Sequence, residues 1–257
     1  MSGECASRTN LEMPDVQQEL LAELAKTGKP VVLLNFAGRP TVLSWENEHI
    51  PAIMNVWFGG SEVGDALCDV IFGDKVPSGK LTTSMPKTTG QEPLYYNHQN
   101  TGRPVPDDNQ KFAKFASNCL DVSNGPLYPF GYGLSYTTFE YGDLKLSSHE
   151  VNMDDWKITA TINVKNTGSR DADEIVQLYI RDMVASISRP VKELKGFQRI
   201  HLAAGESREI SFDITPEMLK FYNAELKHVI EPGDFQIMVG GNSKEVKTQN
   251  LTVKKHP

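Results

Sequence analysis

The apolar residues of this 257-residue chain change their spacing once, near residue 130. Upstream they recur at helical intervals or in short continuous runs; downstream they alternate with polar residues, strand after strand. A chain so written folds as two parts, one α/β and one all-β. Between the two stands Tyr128 to Tyr141, Tyr-Pro-Phe-Gly-Tyr-Gly-Leu-Ser-Tyr-Thr-Thr-Phe-Glu-Tyr. Its six aromatics have surface to bury, Gly131 and Gly133 permit tight bends, and Pro129 stiffens the approach, so the stretch reads as a fixed joint. The boundaries expected are an α/β domain over 1–115, a junction over 116–136 and a β-sandwich over 137–257.

The first part opens with a polar segment. A helix is expected from Pro14, with Val16, Leu20, Leu21 and Leu24 on one face and Gly28 as its stop. Pro30 to Phe36 and Ala52 to Trp57 are nearly continuous apolar runs, the pattern of strands buried on both faces of a mostly parallel sheet. Gly38-Arg39-Pro40 is a turn, and Thr41 to Trp45 a weak strand or turn. Val63, Ala66, Leu67, Val70 and Ile71 form the clearest helical stripe, with Ser61 as cap and Gly73 as stop. Gly59-Gly60 is a strand-to-helix turn, because the Lys-Ser/Thr of a phosphate loop is missing and Glu62 and Asp65 repel an anion. Lys87 to Pro126 has no regular pattern, and a loop of that length is usually functional or clamped. Beyond the junction, alternating strands around Trp156 to Val164, Ile175 to Ile180, Val191 to Ile200, Ile210 to Ile214, Phe235 to Val239 and Leu251 to Val253 predict a fibronectin type III-like sandwich.

A net charge of −7 with no basic run argues against nucleic acid as a partner. No apolar run approaches the ~20 residues of a membrane span, and no signal peptide is legible. The histidines at 49, 98, 149, 201, 228 and 256 are dispersed, so no metal site and no cofactor are expected. Cys5, Cys68 and Cys119 lack CxxC spacing; Cys68 reads as a small buried residue. Carboxylates are plentiful, and spacing alone distinguishes none of them.

Nine motifs taken in order add what spacing cannot. They are Ser7-Arg8-Thr9, Thr27-Gly28-Lys29-Pro30-Val31-Val32, Gly38-Arg39-Pro40, Trp57-Phe58-Gly59-Gly60, Asp69 to Asp74, Pro77-Ser78-Gly79-Lys80-Leu81, Asn100-Thr101-Gly102-Arg103-Pro104, Tyr128 to Tyr136 and Ser188 to Phe197. Together, over essentially the whole chain, they resemble the C-terminal part of bacterial periplasmic β-glucosidases of glycoside hydrolase family 3. The resemblance implies an N-terminal TIM-like barrel, then an α/β sandwich, then a fibronectin type III-like domain, of which only the last two, the first truncated, are expected here. It implies a retaining hydrolase of terminal β-linked glucose, periplasmic or secreted. Its Asp nucleophile lies on the barrel, and its Glu acid/base lies just ahead of the Ser-Arg-Thr segment, where Glu4 stands. Arg8 either orients that loop, neutralises a neighbouring carboxylate or forms a plain surface salt bridge. Asp155-Trp156 opens a sandwich strand, so its likeness to the nucleophile motif is accidental. Xylosidases and glucosaminidases share the pattern, and a non-catalytic module binding carbohydrate or protein is the reading from another class. The partners implied are a small β-glucoside or oligosaccharide and the barrel; separately, the sheet edge and apolar face left open in a truncated α/β half predict association with a second copy of the chain.

Overall fold

The computed structural model describes residues 5, 6, 8–105, 112–154 and 156–255. The chain divides into two units, Met1–Phe72 with Thr83–Tyr95 and Val105–Pro129, and Gly73–Thr82 with Tyr96–Pro104 and Phe130–Pro257.

In the first unit, helix α1 (Asp15–Lys26) is followed by strand β1 (Val32–Asn35), helix α2 (Ser44–His49), strand β2 (Ala52–Asn55) and helix α3 (Val63–Ile71). The strands β1 and β2 pair in parallel, Val32 opposite Ala52 through Asn35 opposite Asn55. Both apolar runs thus form strands, as their β-branched and aliphatic content favours. The expectation of a mostly parallel sheet does not hold, because this sheet has two strands and nearly all other pairing is antiparallel. Nor are β1 and β2 buried on both faces: Val32 is 49% exposed and Phe36 beyond it 54%. Each strand has one unpaired edge among the described residues.

The helices share this incompleteness. On α1 only Leu21 is buried, while Val16, Leu20 and Leu24 face solvent. Strongly amphipathic α3 buries no residue, so Cys68, expected inside, is exposed. Ser61 does not cap α3; Glu62 precedes its first turn without a side-chain cap. Gly73, with φ +84°, follows its end, as a left-handed stop requires. Helix α2, where a weak strand or turn is expected, has no apolar periodicity in Ser-Trp-Glu-Asn-Glu-His to announce it.

The second unit is a β-sandwich. Its strands are β3 (Phe139–Tyr141), β4 (Lys145–Leu146), β5 (Glu150–Asn152), β6 (Ile158–Asn166), β7 (Ala172–Asp182), β8 (Glu193–Leu202), β9 (Ser207–Ile214), β10 (Phe221–Tyr222), β11 (His228–Val229), β12 (Gly233–Gly240) and β13 (Val246–Lys254), with a short helix α4 (Pro216–Leu219). One sheet has the order β5-β13-β12-β7-β8; in the other, β6 pairs with β3, β4 and β9. Ile158, Ala160, Ile162 and Val164 of β6 point into the core, as do Val176, Leu178 and Ile180 of β7 and Phe235, Ile237 and Val239 of β12. This inward set is the alternation written in the sequence. The strands β3, β4, β5, β10 and β11 are too short to leave a periodic signal.

Strand β7 is buried on its second face as well, where Gln177 and Tyr179 lie. There Tyr96 stacks on Phe130 at 4.2 Å and meets Tyr179 edge-on at 5.9 Å. The Gln177 amide donates to the carbonyls of Gly131 (3.1 Å) and Gly241 (2.6 Å) and accepts from the Tyr179 hydroxyl (2.5 Å). Beside it, Glu174 accepts from Tyr141 (2.8 Å) and pairs with Lys80 (3.0 Å), whose ammonium also donates to Gly133 O (2.9 Å). Burial and the Glu174 charge push the Tyr141 phenol far above its ordinary range. The segments Pro77–Leu81 and Phe130–Gly133 are therefore integral to the sandwich unit, since they satisfy polar groups that β7 buries.

Candidate functional site

The sequence leads to the loop that begins at Glu4. Glu4 lies outside the described residues, as does Asp155. The chain that emerges from the loop is fixed soon afterwards. Arg8 is half-buried. Glu12 forms a parallel bridge with Val42, whose N–H donates to Leu11 O at 3.0 Å. The Arg39 guanidinium donates to Asn10 O at 3.2 Å, and Leu11 N–H donates to the Thr89 hydroxyl at 3.4 Å. The Gly38-Arg39-Pro40 turn is thus a clamp on the segment that follows the Ser-Arg-Thr motif.

That clamp stands at the carboxyl end of β1, and the end of β2 adjoins it. Ligands of parallel sheets sit outside such ends. Here the Asn35 amide donates to Thr41 Oγ1 (2.9 Å) and to Asn55 Oδ1 (2.8 Å), while the Asn55 Nδ2 atom is buried without a partner among the described residues. Past Asn55, Trp57 takes φ +55°, a backbone state that a bulky residue avoids, and Phe58 is 83% exposed. The asparagines were legible only as polar residues inside two apolar runs.

Helix α2 frames the same unit. Its Ser44 hydroxyl donates to Lys87 O at 2.7 Å, and Asn47 Oδ1 accepts from the Tyr128 hydroxyl at 2.7 Å. Glu46 on this helix is 2% exposed, with Oε1 unpartnered among the described residues. Burial raises its pKa, its own backbone N–H opposes the rise, the Glu12 charge adds to it and His49 offsets a little. A carboxyl held above its ordinary value keeps its proton in the folded state at pH values where the unfolded chain has released it. Stability therefore falls as pH rises from about 4.5 toward the folded value. Glu46→Gln removes that penalty, so thermal unfolding should show the variant stabilised at pH 7 and nearly neutral at pH 4. Equal shifts at the two pH values would place the carboxylate in a wetter setting.

The irregular loop expected from Lys87 to Pro126 holds a single 3-10 turn, Thr89–Gln91, among its described residues. Amides clasp it rather than strands. Gln91 Nε2 reaches the carbonyl of Ser123 at 2.9 Å while its Oε1 accepts from Lys87 N–H at 2.7 Å, and Asn118 closes on Ala113 and Ala116. No group of three or more His, Cys, Asp or Glu residues able to hold a metal occurs among the described residues. Among them, too, no helix is long and apolar enough to cross a membrane.

Comparison with known proteins bears on this arrangement. The glycosyl hydrolase family 3 C-terminal domain matches residues 1–136, and the fibronectin type III-like domain matches residues 174–243. A periplasmic beta-glucosidase of Salmonella typhimurium is 49% identical over 247 residues, 96% of this chain and 32% of that protein. A beta-xylosidase of Formosa agariphila is 43% identical over 255 residues, 98% of this chain and 34% of that protein. Among solved structures, the beta-glucosidase from Listeria innocua in complex with gluconolactone superposes with a TM-score of 0.91 at 41% identity, covering 98% of this chain and 34% of that one. The chain spans about a third of the length of the curated relatives it matches. Two domain matches in family order, together with the solved structure that superposes on nearly the whole chain, lead to one conclusion: this chain belongs to glycosyl hydrolase family 3.

Proposed function

We propose that the chain is the C-terminal part of a retaining β-glucosidase that releases terminal, non-reducing β-D-glucosyl residues, with Glu4 as its acid/base. The observation that supports this best is the 49% identity to a periplasmic beta-glucosidase along 96% of the chain. In such a reaction a carboxylic acid first protonates the glycosidic oxygen, and the same group as carboxylate then takes a proton from water. A second carboxylate must attack the sugar carbon, and in this reading the family's N-terminal barrel carries it. The contacts of Arg39 with Asn10 and of Val42 with Glu12 support this reading, because they fix the chain just past the Ser-Arg-Thr motif. The enzyme is proposed to work in the periplasm, as the name of that relative suggests. A polypeptide joining such a barrel to this chain should hydrolyse an aryl β-glucoside; the 257-residue chain by itself should not.

The beta-xylosidase at 43% identity favours a second reading within the family, in which the sugar released is xylose. Assay of the joined polypeptide on aryl glucoside and aryl xyloside separates the two. By itself the chain is further proposed to associate with a second copy through its first unit. Val16, Leu20 and Leu24 lie 76%, 60% and 44% exposed along one side of α1, and both strands of the parallel pair have free edges among the described residues. Sedimentation at tens of micromolar should show dimers or larger species, weakened by Leu20→Lys; a strictly monomeric chain refutes the association.

A further inference from the structure

The connection from β7 to β8 is not a simple turn. Residues Arg181 to Val191 wrap an open cleft of about 360 Å³ whose far wall is Asn100 and Gly102, at the small end of the range for ligand sites. The connection is anchored on both sides. Ser186 gives its N–H (2.8 Å) and its hydroxyl (2.5 Å) to the Glu231 carboxylate, Met183 N–H donates to Asp234 O (3.0 Å), and Val191 N–H donates to His98 O (2.9 Å). Arg189 pairs with Glu193 at 2.7 Å and lies over the Phe221 ring at 4.6 Å. Asn100 is held in turn, since its Oδ1 accepts Gly102 N–H at 3.3 Å. The cleft is therefore preformed.

Its chemistry is mixed and nearly neutral. Arg181 and Arg189 stand against Asp182 in the lining, with Glu193 already paired to Arg189. No excess of one sign selects an ion. Between these polar groups lie Met183, Val184 and Ile187, with Val184 81% exposed. Behind that lining, Asp182 Oδ2 and Arg189 Nε are buried without a hydrogen-bond partner among the described residues. A wall that carries donors and acceptors together, Asn100, Arg181, Ser188 and Asp182 among them, suits a molecule that offers both. A pyranose fits this description, because its ring edge carries hydroxyls that donate and accept while its C–H faces rest on aliphatic side chains.

We propose that the cleft formed by Arg181–Val191 and Asn100–Gly102 is a saccharide-binding site for a short neutral oligomer of β-linked pyranoses. The site does not use Glu4, so its failure and that of the proposed hydrolysis are separate results. Titration of the whole 257-residue chain with cellotriose and with xylotriose, followed by calorimetry and amide chemical shifts, tests it. Saturable binding with a Kd on the order of 1 mM or tighter is expected for one or both sugars, with the largest shifts in 181–191 and 99–103; which trimer binds better tells a glucan from a xylan ligand. Asp182→Asn and Asn100→Ala should each weaken binding at least fivefold, and Leu226→Ala, exposed elsewhere in the unit, should leave it unchanged. If Asn100→Ala lowers the melting temperature, Asp182→Asn alone decides, since it keeps the shape and the acceptor for Val184 N–H. Absence of saturation by either trimer well above 1 mM overturns the proposal, and so does binding that both variants leave intact.

Discussion

Gly131→Ala is expected to destabilise the sandwich unit by about 3 kcal/mol. Two costs add. Gly131 has φ +80°, where a Cβ is penalised by roughly 1–2 kcal/mol. A Cβ built there would also stand 2.1 Å from the Gln177 side-chain oxygen. The end of a glutamine ordinarily swings away, but this one is 3% exposed and fixed by three hydrogen bonds, each worth about 1 kcal/mol. Moving it gives up most of them. Differential scanning of the whole chain should show the sandwich transition lowered by roughly 10 °C. The double variant with Gln177→Ala separates the costs: with the clash gone, only the backbone penalty should remain of the Gly131→Ala effect. An alanine tolerated within 1 kcal/mol would mean that the Phe130–Gly133 segment does not belong to the sandwich. Gly133 poses the same question differently, since its Cβ would meet the Gly79 carbonyl at 2.3 Å and no side chain can yield.

These two glycines mark what could be seen in advance. Their positions in an aromatic stretch suggest tight bends, but not a close approach to Gln177 and Gly79, because a sequence pattern carries no register between distant segments. The long sandwich strands were legible because one face meets the core and the other meets water, as in Ile158 to Val164. Helix α2 was not, since Glu46 is buried in a helix with no apolar stripe. The half-exposed parallel pair failed in the opposite sense. Val32 and Phe36 are written for burial, and nothing in their own pattern says how much of the covering surface the described residues contain. At the candidate site, spacing singled out no carboxylate, and Glu4 is proposed only through the family resemblance at the Ser-Arg-Thr motif. The clamp of Arg39 on Asn10 is a contact of residues 29 apart that no local pattern encodes.

In the polypeptide that joins a family barrel to this chain, Glu4→Gln is expected to lower kcat/KM on an unactivated β-glucoside by roughly 10²–10⁴, the usual worth of a positioned acid/base. Glutamine keeps the shape and removes the proton that the leaving oxygen needs. A dinitrophenyl glucoside leaves without that proton, so formation of the glycosyl-enzyme should survive the change while its hydrolysis, which needs a base, becomes limiting. A burst of dinitrophenol followed by slow turnover is the expected signature. Azide, which attacks without a general base, should then restore turnover and give β-glucosyl azide. A role confined to folding or loop order would depress activated and unactivated substrates together, without burst or rescue, and would move the acid/base to another carboxylate. The Arg39→Ala variant completes the comparison. Loosening the clamp without removing the acid should lower activity modestly on both substrates and leave azide without effect, the behaviour of a residue that positions the loop.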